Sequence, residues 1–161
     1  MRLKKTLSCA LAGAVVALTT PNAFAGEGPA PEEVLAACTS HLRVVVDETA
    51  GSIAQVTGNT VERLEELGEN GASNPRLVVA AGIGAARITE IAGTAHGLID
   101  QGVHRCLHVL EAIEAPAPVT RAAVYAGGVA QHAVTSAASR GRWVIRHALR
   151  EAIGETSTSA F

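Results

Sequence analysis

Beyond residue 31 the apolar positions recur at steps of three and four, with polar side chains between them. The first run passes through Leu35, Cys38, Leu42, Val45, Thr49, Ile53, Val56, Thr60, Leu64 and Leu67. A second runs through Leu77, Ala81, Ile88, Ile91, Ala95, Leu98, Gly102, Cys106, Leu110 and Ile113. The third is built mainly of small residues: Val119, Ala123, Ala126, Ala130, Ala133, Ala137, Val144 and Ala148. Such spacing gathers one face of a helix. No alternation of period two persists, so no strand is expected.

Proline sets the joints. After the first 25 residues it occurs only at Pro29 and Pro31, at Pro75, and at Pro116 and Pro118. Proline lacks the amide donor and clashes with the preceding turn, so helix interiors exclude it. Helices are therefore predicted over residues 32–69, 75–115 and 118–154. Pro31 with Glu32 and Glu33 suits a first turn, and Asn74–Pro75 reads as an N-cap followed by N1. Gly68 and the Glu69–Asn70–Gly71 stretch suit a helix end. Gly51 and Gly58 weaken the first helix, and Gly58–Asn59 marks a point where it would break. Short joints force neighbouring helices antiparallel. The expected fold is all-α, a long up-down-up three-helix bundle occupying residues 32–155.

Residues 1–25 read as a secretory signal peptide. Arg2, Lys4 and Lys5 give a positive start, Leu7 to Leu18 is a short apolar run, and Ala23–Phe24–Ala25 offers the small residues of a cleavage site. The apolar run is too short for a permanent bilayer span, and Cys9 sits too early for a lipid-attachment site. Cleavage after Ala25 is expected, then a flexible linker over 26–31 and a disordered tail over 156–161. The chain is thus expected to be exported through the secretory pathway, to the periplasm or the extracellular medium.

Composition sharpens this picture. The chain has 161 residues with 48% hydrophobic, 17% charged and 2% aromatic content. That is too few charges for a solvated disordered chain and too few aromatics for a base-stacking platform. Formal net charge is −2. Without residues 1–25, ten arginines face fifteen carboxylates, 10 − 15 = −5, and no lysine remains. No nucleic-acid partner is expected. The charge is also unevenly spread. The first helix ends in Glu62, Glu65, Glu66 and Glu69, the third in Arg140, Arg142, Arg146 and Arg150. In an up-down-up bundle those ends lie side by side, and opposite charge favours that arrangement.

Cys38 and Cys106 each lie 34 residues from position 72, on the apolar stripes. Folding the first two helices about that point sets them at one height. In an exported chain, such a pair reads as a disulfide closing the open end of the hairpin. The pairs Gly82/Ala86 and Gly93/Gly97 put small residues at helical spacing, which allows helix backbones to approach closely within the bundle. Arg87 and Glu90 interrupt the one apolar candidate stretch, so no transmembrane span is expected.

Candidate chemistry is sparse. His104 and His108 stand one turn apart and would chelate one transition metal, Zn or Cu, with Asp100 on the same face and His41 near the same height on the first helix. His132 falls near that height on the third. The competing reading makes Asp100, His104, His108 and Glu111 a solvated stripe, with no cofactor. No GxSxG elbow, phosphate loop, HExxH or CxxCH is present, so no catalytic residue and no enzyme activity is expected. Arg142, Trp143, Arg146 and Arg150 form a cationic face with the chain's only tryptophan, a surface for an acidic partner or for peripheral contact with an anionic membrane. The function expected is structural or interaction-based, as a homo-oligomer or with a protein partner. A periplasmic metal-binding bundle using the HxxxH pair is the alternative.

Overall fold

The computed structural model describes residues 28–154, and the expected signal peptide and C-terminal tail lie outside them. Three helices follow in chain order: α1 (Pro31–Glu69), α2 (Asn74–Ala112) and α3 (Ala117–Ala152). All three pack against one another, and among the described residues there is no strand. At about 1.5 Å per residue each helix is some 55–60 Å long.

Facing pairs give the directions. Cys38 meets Cys106, Leu42 meets Gly102 and Thr60 meets Gly84, so α1 and α2 run antiparallel. Val103 meets Gly127 and Ile88 meets Gly141, so α3 reverses again. Gly68 lies against Ala152, placing the ends of α1 and α3 together. The bundle is up-down-up.

The most deeply buried large side chains recur every eleven residues. These are Leu42, Ile53 and Leu64 in α1, Leu77, Ile88, Ile99 and Leu110 in α2, and Val134 and Ile145 in α3, with Ala123 one repeat earlier. Eleven residues over three turns is about 3.67 per turn, close to the natural pitch of a straight helix. The same face therefore stays inward along the whole length, with a residual drift opposite in hand to that of a heptad repeat. Among the described residues seven of the eighteen buried apolar residues are alanine, and none is aromatic, so the interior is thin and the axes lie close.

Three buried glycines mark the closest approaches. A Cβ on Gly84 would lie 2.6 Å from the Thr60 methyl, and one on Gly127 would lie 2.5 Å from a Val103 methyl. On Gly141 it would lie 2.7 Å from the Thr57 hydroxyl and 3.0 Å from both Ile53 and Ile88. Each glycine is a socket for a β-branched side chain of a neighbouring helix. The threonines enter these apolar seams because each hydroxyl donates to the carbonyl four residues back: Thr49 to Val45 at 2.6 Å, Thr57 to Ile53 at 2.8 Å and Thr60 to Val56 at 2.7 Å.

Several expectations are corrected. Helix α1 runs unbroken through Gly51, Gly58 and Asn59, because Ile53, Thr60 and Leu64 keep its inner face anchored on both sides of the weak point. Gly82, Gly93 and Gly97 do not mediate packing within the bundle. All three are exposed with nothing near the Cβ position, and Ala86 is exposed too. In α3 the expected stripe holds at Ala123, Ala130 and Ala148 but is incomplete: Gly127, Val134, Ala138, Gly141 and Ile145 are buried too, while Val144 is 37% exposed. The N-cap of α2 is Ser73 rather than Asn74.

The helix ends share one device. After α1, Gly71 takes φ 67° and the Ala72 amide bonds the Leu67 carbonyl. After α2, Glu114 takes φ 52° and the Ala115 amide bonds the Leu110 carbonyl. This left-handed stop suits glycine, and Glu114 occupies it against the preference of a side chain bearing a Cβ.

Glycine-to-alanine substitution thus has opposite signs in this fold. Gly51→Ala and Gly58→Ala, at exposed interior positions with open space, each raise stability by about 0.5–1 kcal/mol. Gly84→Ala and Gly141→Ala lower it by about 1–3 kcal/mol through overpacking. Glu114→Gly raises it by up to about 1 kcal/mol by relieving the left-handed backbone. Thermal unfolding followed by circular dichroism reads all five, and a uniform gain from every alanine would contradict the packing described.

Candidate interaction surfaces

Beside the long main core, a second apolar cluster closes the open end of the bundle. Cys106, Leu110 and Ala123 form its buried part, with Val34, Leu35 and Cys38 of α1 packed against it. There Cys38 and Cys106 are joined as a disulfide, with Cα atoms 6.0 Å apart. The bridge links residues 68 positions apart, at the end where α1 has no fully buried side chain before Leu42. Cys106 is buried and Cys38 half-buried, so the bridge belongs to the cluster rather than to the surface.

The histidines are distributed around the bundle. His104 and His108 are both exposed on α2, one turn apart, and so is Asp100. Asp100 is engaged across the α2–α3 seam, where the Gln131 amide donates to its carboxylate. His41 leans over the α1–α2 seam, its ring 3.3 Å from where a Gly102 Cβ would stand. His132 is exposed on α3. Among the described residues no three His, Cys, Asp or Glu side chains come together as a metal-holding group. The HxxxH pair by itself offers two imidazoles on one helix, so further ligands would have to come from solvent or another molecule.

The α2–α3 seam carries a short polar ladder that sequence reading did not find. Besides Asp100 and Gln131, His96 Nε2 and the Thr135 hydroxyl are 3.2 Å apart, and the Arg142 guanidinium donates to the Thr89 hydroxyl at 3.3 Å. These partners sit 31 to 53 residues apart in sequence, so only the register of the folded chain pairs them. Arg142, expected on the cationic outer face, is drawn partly into this seam.

The other members of the expected cationic face remain outward. Trp143 is 62% exposed, and Arg140, Arg146 and Arg150 are exposed. The indole stacks on the His147 ring at 5.4 Å between centroids, and His147 Nε2 lies 3.5 Å from the Glu151 carboxylate. Tyr125, also on α3, is 75% exposed. Both aromatic residues of the described chain therefore stand outside the core, on one helix.

The expected attraction between the acidic end of α1 and the basic end of α3 forms no ion pair. The ends do lie together, but all three ion pairs among the described residues are within single helices: Arg43–Asp47, Arg63–Glu66 and His147–Glu151. A partner one turn away on the same rod is reached with less ordering of two long side chains than a partner on the next helix.

Two open grooves flank α1. One, of about 360 Å³, has nearly all-apolar walls from Leu42 and Val46 of α1 and Tyr125 and Val129 of α3. The other, of about 500 Å³, lies between α1 and α2, with Gln55, Asn59, Arg63 and Arg87 at its rim and Val56 and Ile83 in its wall. Helix α2 is long and apolar enough to cross a membrane by length and composition, with 28% of its most apolar window buried.

No family model matches the chain, and no curated protein or solved structure matches it.

The disulfide is expected to matter in proportion to the loop it closes. For a separation of 68 residues, the chain-entropy relation gives about 4 kcal/mol. Cys38→Ser with Cys106→Ser, or reduction of the bridge, should lower the guanidinium midpoint accordingly. An unchanged midpoint would mean that the open end holds without it.

Proposed function

We propose that this chain is an exported helical bundle whose role is structural or interaction-based, presenting its outer faces to a protein partner or to further copies of itself. The observation that carries the reading is the division of side chains between inside and outside. The interior uses alanine, glycine and single branched residues. The largest groups, Tyr125 and Trp143, are held outward together with Val78, Val79, Ile83, Val124 and Val129. Large exposed apolar groups set among charges are the composition of a protein contact surface, with aromatics and arginine as its usual anchors. A rigid, disulfide-closed rod suits this use because it presents its contacts without an ordering cost on binding. Export is supported by the charge and apolar pattern of residues 1–25 together with a disulfide, which persists in oxidising compartments.

The test separates binding from folding. Tyr125→Ala and Trp143→Ala remove exposed side chains, so thermal unfolding should shift by no more than about 0.5 kcal/mol equivalent. Association of the exported protein, measured by sedimentation and by recovery of bound protein from its native compartment, should fall in the double variant. Unchanged association would remove this surface from the account, and a large loss of stability would make the aromatics structural.

A further inference from the structure

Charge is partitioned between the helices more sharply than the net value suggests. Helix α1 carries eight carboxylates against two arginines, α2 three against three, and α3 five arginines against the single carboxylate Glu151. Every one of the α1 carboxylates is exposed, and of the α3 arginines only Arg142 is partly covered. The two arginines of α1 pair within their own helix, with Asp47 and Glu66. Among the described residues Glu48, Glu62, Glu65 and Glu69 make no ion pair, nor do Arg121, Arg140, Arg146 and Arg150. The bundle thus has an acidic outer face on α1 and a basic outer face on α3, and among the described residues no ion pair joins the two.

We propose that these two faces bind each other between copies, α3 of one molecule docking on α1 of the next. This rests on the interaction reading above and names the partner as a second copy of this chain. Charge complementarity selects that occupant, because the acidic surface that the α3 face requires is the α1 face of the same protein. An anionic lipid surface would engage α3 alone and repel the acidic face. Trp143, 62% exposed among the arginines, supplies an apolar anchor that leaves water when the faces meet. The two faces are different surfaces, so the contact is heterologous. A dimer keeps one free face of each sign and goes on adding copies until a ring closes or an open array forms.

A charge-swap experiment on the exported, disulfide-bonded protein tests this. One variant combines Arg140→Glu, Arg146→Glu and Arg150→Glu, and the other combines Glu62→Arg, Glu65→Arg and Glu69→Arg. Circular dichroism checks that both fold. Arg140→Gln, Arg146→Gln and Arg150→Gln supplies the same loss of face should the reversed form not fold. By sedimentation velocity, the wild type should form species larger than a dimer at about 0.01 M salt, where the screening length is about 30 Å. It should return to monomer at about 1 M, where that length is about 3 Å. Each variant alone should stay monomeric at low salt, and an equimolar mixture of the two reversed variants should associate again. Wild type that is monomeric at low salt, variants that associate as the wild type does, or a mixture that fails to associate would each overturn the proposal. Monomeric wild type that co-sediments with phosphatidylglycerol vesicles would overturn it in favour of a membrane surface. Monomeric wild type that still binds another protein through Tyr125 and Trp143 would overturn it and leave the interaction reading standing.

Discussion

The fold depends on how closely its three helices approach. With an interior of alanine and single branched side chains, each helix has little apolar surface to hide, and contact must come from proximity rather than bulk. Gly84, Gly127 and Gly141 make that proximity available, each receiving a β-branched side chain or its neighbours from the facing helix. Dispersion falls away steeply once a gap opens, so a thin core holds only if its surfaces touch along the whole rod. The eleven-residue recurrence of Leu, Ile and Val keeps those surfaces facing each other from one end to the other.

The rest of the architecture follows from that economy. Bulky groups have no room inside, so Tyr125 and Trp143 stand on the surface. Charges cannot enter, so they cover the outer faces and pair, where they pair at all, within one helix. The main core stops short of the open end, where the separate cluster around Cys106 and Leu110 takes over. That cluster is small, and the covalent link to Cys38 supplies the constraint that it lacks in area. The molecule is a slender rod with a quiet interior and a differentiated surface.

How much of this was legible in the sequence depended on side-chain size. In the first two helices, leucine, isoleucine and valine mark one side, and the face they predict is the buried one. The third carries alanine or glycine on several sides, so the stripe drawn through Val144 missed Val134 and Ile145 by part of a turn. Glycine was legible in part. Gly84 falls on the stripe of Leu77, Ala81 and Ile88, so its spacing sets it apart from Gly82, which faces open space; that it seats Thr60 depends on the register of a helix two dozen residues away. The Cys38–Cys106 pairing could be read because both ends lie on well-marked stripes. The Asp100–Gln131 and His96–Thr135 contacts could not, since each member sits at the margin of its helix face. The eleven-residue period was present in the sequence and hidden by reading single steps of three and four.

The central claim is that glycine-seated close packing holds the main body while the disulfide serves chiefly the open end. Amide hydrogen exchange on the oxidised and the reduced protein tests it most directly. The account predicts that reduction strips protection furthest from residues 34–42 and 106–123, leaving the amides around Ile53, Ile88 and Ile145 the slowest in the chain. Protection after reduction that is as high at 34–42 and 106–123 as around Ile53, Ile88 and Ile145 would contradict it, since the open end would then hold as firmly as the main body without the bridge.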